Sequence, residues 1–497
     1  MRNFWGTLAG FVFVAAAQAD TAWPTQGWST ATPESQGMSS PALQSLLDFG
    51  QANQADSVLV TRHGRIVLEA YYGPYEAGQL HAINSATKTV TSALVGLAVA
   101  QGLLPPAETP VVELMRGRTP ANLDARKQAM QLQHLLDMDS GIAWIEPLAD
   151  AVPETALKMY ASRDWVQFVL DQPMAQAPGA GFNYNSGNSQ LASAILAQAA
   201  GMTTEDYAAK QLFAPLGITQ WRWRKDPGGT STGGFGLYLH PRDMARLGLL
   251  QLRHGEWEGR QLLPRAWVDR AFAASLPMTP GPGADFRYAN GWWTLPARGA
   301  FMAVGFNRQL IVVLPREDVV AVLTGRRHYD LGAMLDVLQR AVRSEQALAE
   351  DPAAAQALAT KVRALATEPE PVALPPPALA QRVSGRTWKA DPNRMGIAQF
   401  TLRLGERNEC EIVTASGGTE VLPLGQPGQP ARTQGARGLT VTRAFWTGES
   451  TLAVQVRYVN EGGVASWVLR FDGDRVEVAF SSTVNGFAAK FAAQAVD

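Results

Sequence analysis

Hydrophobic and polar positions alternate near both ends of the chain, and recur at helical spacing between them. Two β-rich runs fill 57–72 around a His-Gly pair, which is typical of a hairpin. From about 130 to 220, and again at 241–255, apolar residues recur with helical period and glycine ends the runs. The later runs GWWTLP, RQLIVVLP and VVAVLTG predict three strands, and 330–349 predicts a helix.

This order of elements predicts an α+β domain. Strands from both ends of the domain would form one antiparallel sheet flanked by helices, with a helical subdomain inserted between them. The glycine-rich stretch STGGFG at 231–236 predicts a flexible loop. We assign 20–366 to this domain.

A Pro-rich segment, TEPEPVALPPPALA, predicts a linker over 367–380. The pattern of apolar and polar residues changes after it. Beyond it, TLAVQVRYV alternates strictly between apolar and polar residues. Similar runs follow the same rule at 397–404, 438–446, 464–471 and 475–481. We therefore predict a small all-β domain, a barrel or a sandwich, over 381–497.

The first nineteen residues read MRNFWGTLAGFVFVAAAQA. A short positive region, an apolar run and an A-x-A site follow one another in the order used by cleavable export signals. The alternative is a buried N-terminal helix. We expect cleavage after Ala19 and a periplasmic or secreted protein. No later run of about twenty apolar residues suggests a membrane span.

Composition narrows the class of protein. Hydrophobic residues make up 46% and charged residues 18%, which suits a sizeable core, and the net charge of −1 gives no basic excess for binding nucleic acid. The single cysteine, Cys410, excludes an intrachain disulfide and is expected to be a small buried hydrophobe. The six histidines are scattered without a ligand motif, so we expect no metal and no cofactor.

A serine and a lysine stand one turn apart where an apolar helix begins, in INSATKTVTSALVGLAVAQG at 83–102. Asn84 is the predicted N-cap and Ser85 the predicted first helical residue, with Lys88 on the same face. The positive end of the helix dipole favours an oxyanion and disfavours a protonated Lys88, so the amine could accept the serine proton. Taken alone, S-x-x-K can also be accidental, with the lysine a solvated charge.

Two further segments hold candidate chemistry. Tyr184 lies in a Gly/Asn-rich turn before a helix, in FNYNSGNSQLASAIL, and its phenol could act as a base or relay a proton. It could equally be an ordinary half-buried tyrosine. Gly305, in FMAVGFNRQLIVVLP, is expected to precede a strand, where a backbone N–H could complete an oxyanion hole. It could equally be a bulge glycine.

In this order and at these intervals, the three segments resemble the serine hydrolases related to class C β-lactamases and penicillin-binding proteins, which carry S-x-x-K and K-T-G motifs. The resemblance is closest to the branch with esterases and 6-aminohexanoate-dimer hydrolases. It covers roughly 30–345 and includes WSTATPESQGMSS, LQHLLDMDSGIAWIE, GGFGLYLHPRDMARLG, GEWEGRQLLPRAW and YANGWWTL. It implies Ser85 as nucleophile, Lys88 as its activating partner and Tyr184 as the motif tyrosine. It also implies an oxyanion hole made by the N–H groups of Ser85 and Phe306.

The same resemblance implies three substrate contacts: Ser186, third in the Y-x-N or Y-x-S motif, Gly305, last in K-T-G, and Asn307, where some relatives have histidine. The chain departs from K-T-G, since Ala303 and Val304 replace its lysine and threonine. An alanine cannot hold a substrate carboxylate. This favours a neutral ester or simple amide over a β-lactam or a D,D-peptide.

The sequence therefore predicts an exported serine hydrolase that cleaves a small-molecule ester or amide through an acyl-enzyme on Ser85. The alternatives are a non-catalytic binder or sensor of cell-wall fragments, and a weak β-lactamase or D,D-peptidase. Whether Arg308 replaces the missing cation stays open, because strand alternation would place it on the face of Phe306 only if the strand is regular. The indoles of GIAWIE and GWWTL are expected in the core or lining the pocket.

Overall fold

The structure is a computed structural model that describes residues 23–148, 152–273, 276–279, 285–405, 407–484 and 486–496. The predicted export signal lies outside these residues. The strands of the N-terminal domain are, in chain order, β1 (Ala55–Arg62), β2 (Arg65–Tyr71), β3 (His81–Ala82), β4 (Arg222–Trp223), β5 (Leu237–Leu239), β6 (Glu256–Trp257), β7 (Arg260–Gln261), β8 (Leu276–Pro277), β9 (Arg287–Ala289), β10 (Trp292–Leu295), β11 (Ala300–Gly305), β12 (Gln309–Leu314) and β13 (Val319–Gly325).

Helices cover both faces of the main sheet. They are, in chain order, α1 (Ser40–Ala52), α2 (Thr87–Ala100), α3 (Val111–Leu114), α4 (Ala125–Ala129), α5 (Leu132–Leu136), α6 (Glu154–Ala161), α7 (Trp165–Leu170), α8 (Ser186–Ala200), α9 (Thr204–Ala208), α10 (Ala214–Leu216), α11 (Pro241–Leu252), α12 (Arg265–Phe272), α13 (Leu331–Ala341), α14 (Pro352–Leu365) and α15 (Ala378–Val383). A π-helical turn, Ala209–Phe213, joins α9 to α10. Among the residues described, no helix has the length and apolarity needed to cross a bilayer.

The main sheet is antiparallel and has the strand order β2-β1-β13-β12-β11-β10-β9-β8. The early hairpin thus pairs with the last strand of the domain, which confirms the predicted sheet built from both ends. Successive side chains on a strand point to opposite faces. Leu59 and Ile311 accordingly pack in the cluster that contains α2, α8 and α11, whereas Val58 and Val312 pack with α1 and α13.

Two predicted elements differ from the structure. The helix predicted over 330–349 ends at Ala341, and Val342 then bridges back to Met38. The segment FMAVG, for which no strand was predicted, is the central strand β11. Its Ala and Gly residues hide the strand pattern, because a strand buried on both faces shows no alternation of apolar and polar residues.

The C-terminal domain is one ten-stranded sheet that nearly closes on itself. Its strands are β14 (Thr387–Ala390), β15 (Ile397–Arg403), β16 (Glu409–Thr414), β17 (Thr419–Pro423), β18 (Ala431–Gly435), β19 (Gly438–Gly448), β20 (Thr451–Tyr458), β21 (Gly463–Asp472), β22 (Arg475–Ser482) and β23 (Ala488–Ala495). First and last strands pair, giving the order β17-β16-β15-β14-β23-β22-β21-β20-β19-β18. The predicted all-β domain is therefore a barrel-like sheet, open only between β17 and β18.

Its interior is apolar. Trp388, Trp446 and Phe471 pack together, and the lone Cys410 is buried beside them in the same cluster, as expected. Burial raises the pKa of the Cys410 thiol to about 12, so the sulfur stays protonated and behaves as a hydrophobe. The predicted linker contacts this domain, since Leu374 forms a bridge with Trp446.

A buried ion cluster joins the two domains. Asp56 in β1 pairs with Arg457 in β20, with Arg326 at 3.0 Å and with His81 at 3.1 Å. Arg457 also pairs with Glu368 of the linker segment at 2.6 Å. Burial disfavours the Asp56 carboxylate, but the arginines outweigh it and hold the pKa of Asp56 well below its usual range.

Candidate active site

Ser85 lies in a 3-10 turn, Asn84–Ala86, that leads directly into α2. The predicted N-cap role of Asn84 is wrong. Its amide instead donates to the Phe306 carbonyl at 3.1 Å, and Asn84 has a φ of +49°, a left-handed conformation that asparagine tolerates better than most residues. A contact with the turn after β11 has therefore replaced the local cap, and the serine precedes the α-helix instead of opening it.

Lys88 is buried at the first turn of α2 and its amine has three polar neighbours. The Nζ atom lies 3.2 Å from Ser85 Oγ and 3.0 Å from Ser186 Oγ, and it donates to the Gly234 carbonyl at 2.8 Å. Burial lowers the pKa of Lys88 to about 8, against an opposing effect of the Glu146 carboxylate. A useful fraction of the amine is therefore neutral near physiological pH.

Tyr184 completes the group. The Ser85 side chain is near enough to lower the pKa of the Tyr184 phenol slightly against the larger effect of burial, and the Tyr184 ring centroid lies 4.7 Å from Lys88 Nζ. Burial raises the pKa of Tyr184 well above its usual value, so the phenol keeps its proton in the resting protein. The structure thus brings the serine, lysine and tyrosine predicted from the sequence into one site.

The turn that carries Tyr184 is fixed from both sides. Asn185 caps α8 by accepting from the Asn188 N–H at 3.2 Å, and the Asn183 N–H donates to the Met138 carbonyl at 2.7 Å. Met138 follows α5, so the end of that short helix supports the tyrosine.

Asp139, the residue after Met138, should make the stability of the protein depend on pH. The buried Oδ1 of Asp139 finds no hydrogen-bond partner among the described residues, and burial together with Asp137 raises the pKa of Asp139 to about 7. Because this folded-state pKa lies above the unfolded value, ionising Asp139 costs stability as pH rises from about 4 to about 7. We expect Asp139→Asn to be more stable than the parent by about 1–3 kcal/mol at about pH 8, with little difference at about pH 4. Urea unfolding at both pH values measures this, and an equal effect at both would contradict the ionisation argument.

Glu146 is a site residue that the sequence analysis missed. Its Oε1 accepts from the Ser186 hydroxyl at 2.6 Å, and its Oε2 accepts from the Ser186 N–H at 2.8 Å and from the Trp144 indole at 2.7 Å. Trp144, Trp292 and Trp293 are all buried, as expected of core indoles, and the Trp144 indole also contacts the site through Glu146. A glutamate just after a buried tryptophan was the available signal, but only folding shows that it reaches α8.

The STGGFG loop also differs from its prediction as a flexible loop. It is mostly buried rather than a flexible surface segment, and it supplies the Gly234 carbonyl that accepts from Lys88. Thr91 of α2 donates to the Gly233 carbonyl at 2.7 Å. A Cβ on Gly233 would lie 1.9 Å from the Ser189 carbonyl oxygen, so the loop approaches α8 too closely for any side chain at this position.

Gly305 lies against the turn that holds the serine. A Cβ at this position would be 2.2 Å from the Ile83 carbonyl oxygen and 3.2 Å from Asn84 Cβ. Gly305 precedes the strand β12, as predicted, and it is also the last residue of β11, which was not predicted. The following residue, Phe306, therefore starts a turn that is held beside Ser85, and its side chain is 45% exposed.

Asn307 and Arg308, which follow Phe306, make contacts away from Ser85. The Asn307 amide lies 3.5 Å from the Gly462 carbonyl and 3.4 Å from the Thr483 carbonyl of the C-terminal domain. Arg308 has a φ of +62° and donates from Nε to the Tyr329 carbonyl at 2.8 Å. The segment is a turn instead of a regular strand, so the alternation considered for Arg308 does not apply. Ala303 is fully buried.

Several aromatic and apolar side chains lie close in sequence or space to Gly234 and Glu146. Tyr160 of α6 contacts Phe235, next to Gly234, with ring centroids 5.3 Å apart. Ile145 is 55% exposed beside Glu146, and Leu157, one turn before Tyr160, is 49% exposed. Within the described residues, no group of histidine, cysteine, aspartate and glutamate is arranged to hold a metal ion.

Comparisons with known proteins assign most of the N-terminal domain to one family. The β-lactamase family model matches residues 43–343, more than half of the chain. A 6-aminohexanoate-dimer hydrolase of Paenarthrobacter ureafaciens is 22% identical over 288 residues, which are 54% of this chain and 71% of that protein.

Solved structures show the same fold. A candidate 6-aminohexanoate-dimer hydrolase from Bacillus anthracis matches with a TM-score of 0.50 and 20% identity, covering 69% of this chain and 88% of its own. EstCE1, a hydrolase with promiscuous acyltransferase activity, matches with a TM-score of 0.52 and 15% identity, covering 61% of this chain and 98% of its own. The chain therefore belongs to the β-lactamase family and is a serine hydrolase.

Proposed function

We propose that the protein hydrolyses esters or simple amides through an acyl-enzyme on Ser85. One observation carries the proposal: a buried lysine amine with a pKa lowered to about 8 lies 3.2 Å from the serine hydroxyl. An amine of this kind can take the serine proton while Oγ bonds to the substrate carbonyl carbon. A lysine on the surface could not do so, because almost all of it would be protonated at neutral pH.

The remaining steps follow from the neighbouring groups. The N–H groups of Ser85 and Phe306 receive the oxyanion, supported by the close contact between Gly305 and the serine turn. Tyr184, protonated at rest, donates to the leaving alkoxide or amine as the carbonyl reforms, and Lys88 returns a proton to the phenolate. Water then attacks the acyl-enzyme by the same route, which releases the acid and restores Ser85.

The surroundings favour a substrate that is uncharged and apolar near the reacting carbonyl. Ala303 supplies no cation where a K-T-G lysine would lie, and the Arg308 Nε is already used by a backbone carbonyl. Glu146 would repel a substrate carboxylate entering beside Ser186. The exposed Ile145 and Leu157 instead offer apolar surface to an acyl chain or an alcohol group. We also propose export, supported by the pattern of residues 1–19.

Covalent labelling tests the proposal. The purified protein should gain the mass of one fluorophosphonate adduct on Ser85 and turn over p-nitrophenyl butyrate, while nitrocefin should react much more slowly. The Ser85→Ala variant should do neither, with an unchanged melting temperature. Labelling and turnover that survive in this variant, or that are missing from the parent, would refute the acyl-enzyme and favour a non-catalytic binder.

A further inference from the structure

The Glu146 carboxylate lies beside the proposed catalytic group and forms no hydrogen bond with Ser85 or Lys88 among the described contacts. Its two oxygens accept three hydrogen bonds: the Ser186 hydroxyl at 2.6 Å, the Ser186 N–H at 2.8 Å and the Trp144 indole at 2.7 Å. A carboxylate that accepts from both the N–H and the hydroxyl of the first residue of α8 holds the Ser186 side chain in one orientation.

The orientation of Ser186 decides what Lys88 can do. A serine hydroxyl has a single proton. Since that proton goes to Glu146, the Ser186 oxygen can only accept from the Lys88 amine, 3.0 Å away. The Gly234 carbonyl, 2.8 Å from Nζ, is also an acceptor only. Two N–H groups of the amine are therefore committed in both of its protonation states.

The third position on the lysine nitrogen faces Ser85 Oγ at 3.2 Å. In the ammonium form this position carries the third N–H. In the neutral amine it carries the lone pair, so the lysine can accept a proton only from the nucleophile. If the Ser186 hydroxyl had no carboxylate acceptor, it could donate to the lone pair itself. Ser85 would then face an N–H group and the base would be lost.

We propose that Glu146 is a positioning residue that makes Ser186 an obligatory acceptor and so directs the Lys88 lone pair at Ser85. The proposal rests on the proposed function of the Ser85 site and deepens it. It assigns Ser186 a task beyond the substrate contact implied by family resemblance, since its hydroxyl serves the lysine.

The charge of Glu146 gives a second, separable effect. Two groups face Lys88. One is the Glu146 carboxylate, which precedes α6 in the chain, and the other is the Tyr184 ring, in the turn before α8. Glu146 in turn faces Tyr160, Tyr184 and Tyr288, and the pKa of each of these phenols is raised. Arg224 is the cation near Tyr160. The carboxylate raises the pKa of Lys88 against the effect of burial, so removing its charge lowers that pKa further.

The sign of the pH effect follows. The base is the neutral amine, so kcat/KM rises with pH through the pKa of Lys88 in the free enzyme. In Glu146→Gln we expect this acid limb to move to lower pH by about half a unit or more, because the opposing charge is gone. The plateau kcat should fall roughly tenfold, because an amide holds the Ser186 proton less firmly than a carboxylate does. KM should change little.

The measurement is p-nitrophenyl butyrate hydrolysis by the full chain across the pH range, with Glu154→Gln as the matched control. Glu154 is an exposed glutamate of α6, and its substitution should leave kcat and the acid limb unchanged. Glu146→Asp keeps the charge but shortens the reach, so its acid limb should stay with the parent while kcat falls. A lower kcat in Glu146→Gln with an unmoved limb would make Glu146 merely structural and overturn the proposal.

A double substitution tests whether Glu146 acts through Ser186. In the Ser186→Ala background there is no hydroxyl to orient, so adding Glu146→Gln should cost little further kcat while still moving the acid limb. An undiminished loss of kcat in that background would overturn the proposal. The rate of fluorophosphonate labelling separates the two levels. A parent that does not label at Ser85 refutes the proposed function, whereas equal pH profiles of labelling in parent and Glu146→Gln refute only the role of Glu146.

Discussion

Replacing Lys88 with methionine is expected to lower kcat/KM for ester hydrolysis by about a thousandfold or more, since both general-base and general-acid steps lose their partner. The fold should survive. Methionine has similar length, and although the Gly234 carbonyl loses its donor, the substitution also removes a buried amine whose pKa is already lowered by desolvation. Steady-state kinetics with p-nitrophenyl butyrate, together with a thermal melt, measures the two effects on the same sample.

Lys127 provides the matched control. It is also fully buried, and its amine donates to the carbonyls of Leu170 and Gln172 at 2.6 Å each, far along the chain from the serine. Lys127→Met should lower the melting temperature, because two carbonyls lose their donor, and should leave kcat nearly unchanged. The base assignment fails if Lys88→Met keeps more than about a tenth of the parental kcat/KM.

Replacing Gly305 with alanine is expected to damage both activity and stability. The new Cβ would lie 2.2 Å from the Ile83 carbonyl oxygen and 3.0 Å from Gln309 Cβ. Gln309 is held in β12, and the Ile83 N–H donates to the Leu237 carbonyl at 3.0 Å. The end of β11 must then move away from the serine turn. The Phe306 N–H moves with it, and losing one oxyanion donor costs about 100- to 1,000-fold in kcat. Overpacking should cost a further ~1–3 kcal/mol of stability.

Gly435 is the appropriate control for this substitution. It lies in β18, and a Cβ added there would meet nothing within 4 Å. Gly435→Ala should be neutral in urea unfolding and in turnover. Should Gly305→Ala retain full kcat while losing stability, the strand end would be a packing contact and the oxyanion donor would have to lie elsewhere.

The sequence predicted the elements whose pattern is local. The hairpin formed by β1 and β2, the helices α2, α8 and α11 and the longest strands of the C-terminal domain show their period directly, whereas the long helices α1 and α14 were not predicted. β17 and β18 do not, because most of their residues are exposed and neither TEVLP nor ARTQG alternates between apolar and polar residues. They are strands because their neighbours pair with them.

The residues of the site also differ in whether a local sequence motif marks them. Ser85, Lys88 and Tyr184 stand in motifs whose spacing is fixed by a helix turn or a helix start. Glu146 acts on α8 across forty positions of sequence, and nothing local marks it. Asn84 shows the opposite error: its local preference for a cap is real, but a contact with Phe306 more than two hundred residues away decides its conformation.

Asn307 and the ion pair between Asp56 and Arg457 make the two domains a single energetic unit. Removing the C-terminal domain at the Pro-rich segment would take Arg457 away from the buried Asp56 carboxylate, leaving it with Arg326 and His81, and would free the Asn307 side chain in the turn that follows β11. We therefore expect a shortened protein to lose activity by loosening the turn beside Ser85, even if the barrel never meets a substrate. The C-terminal domain would in this way support the reaction without taking part in it.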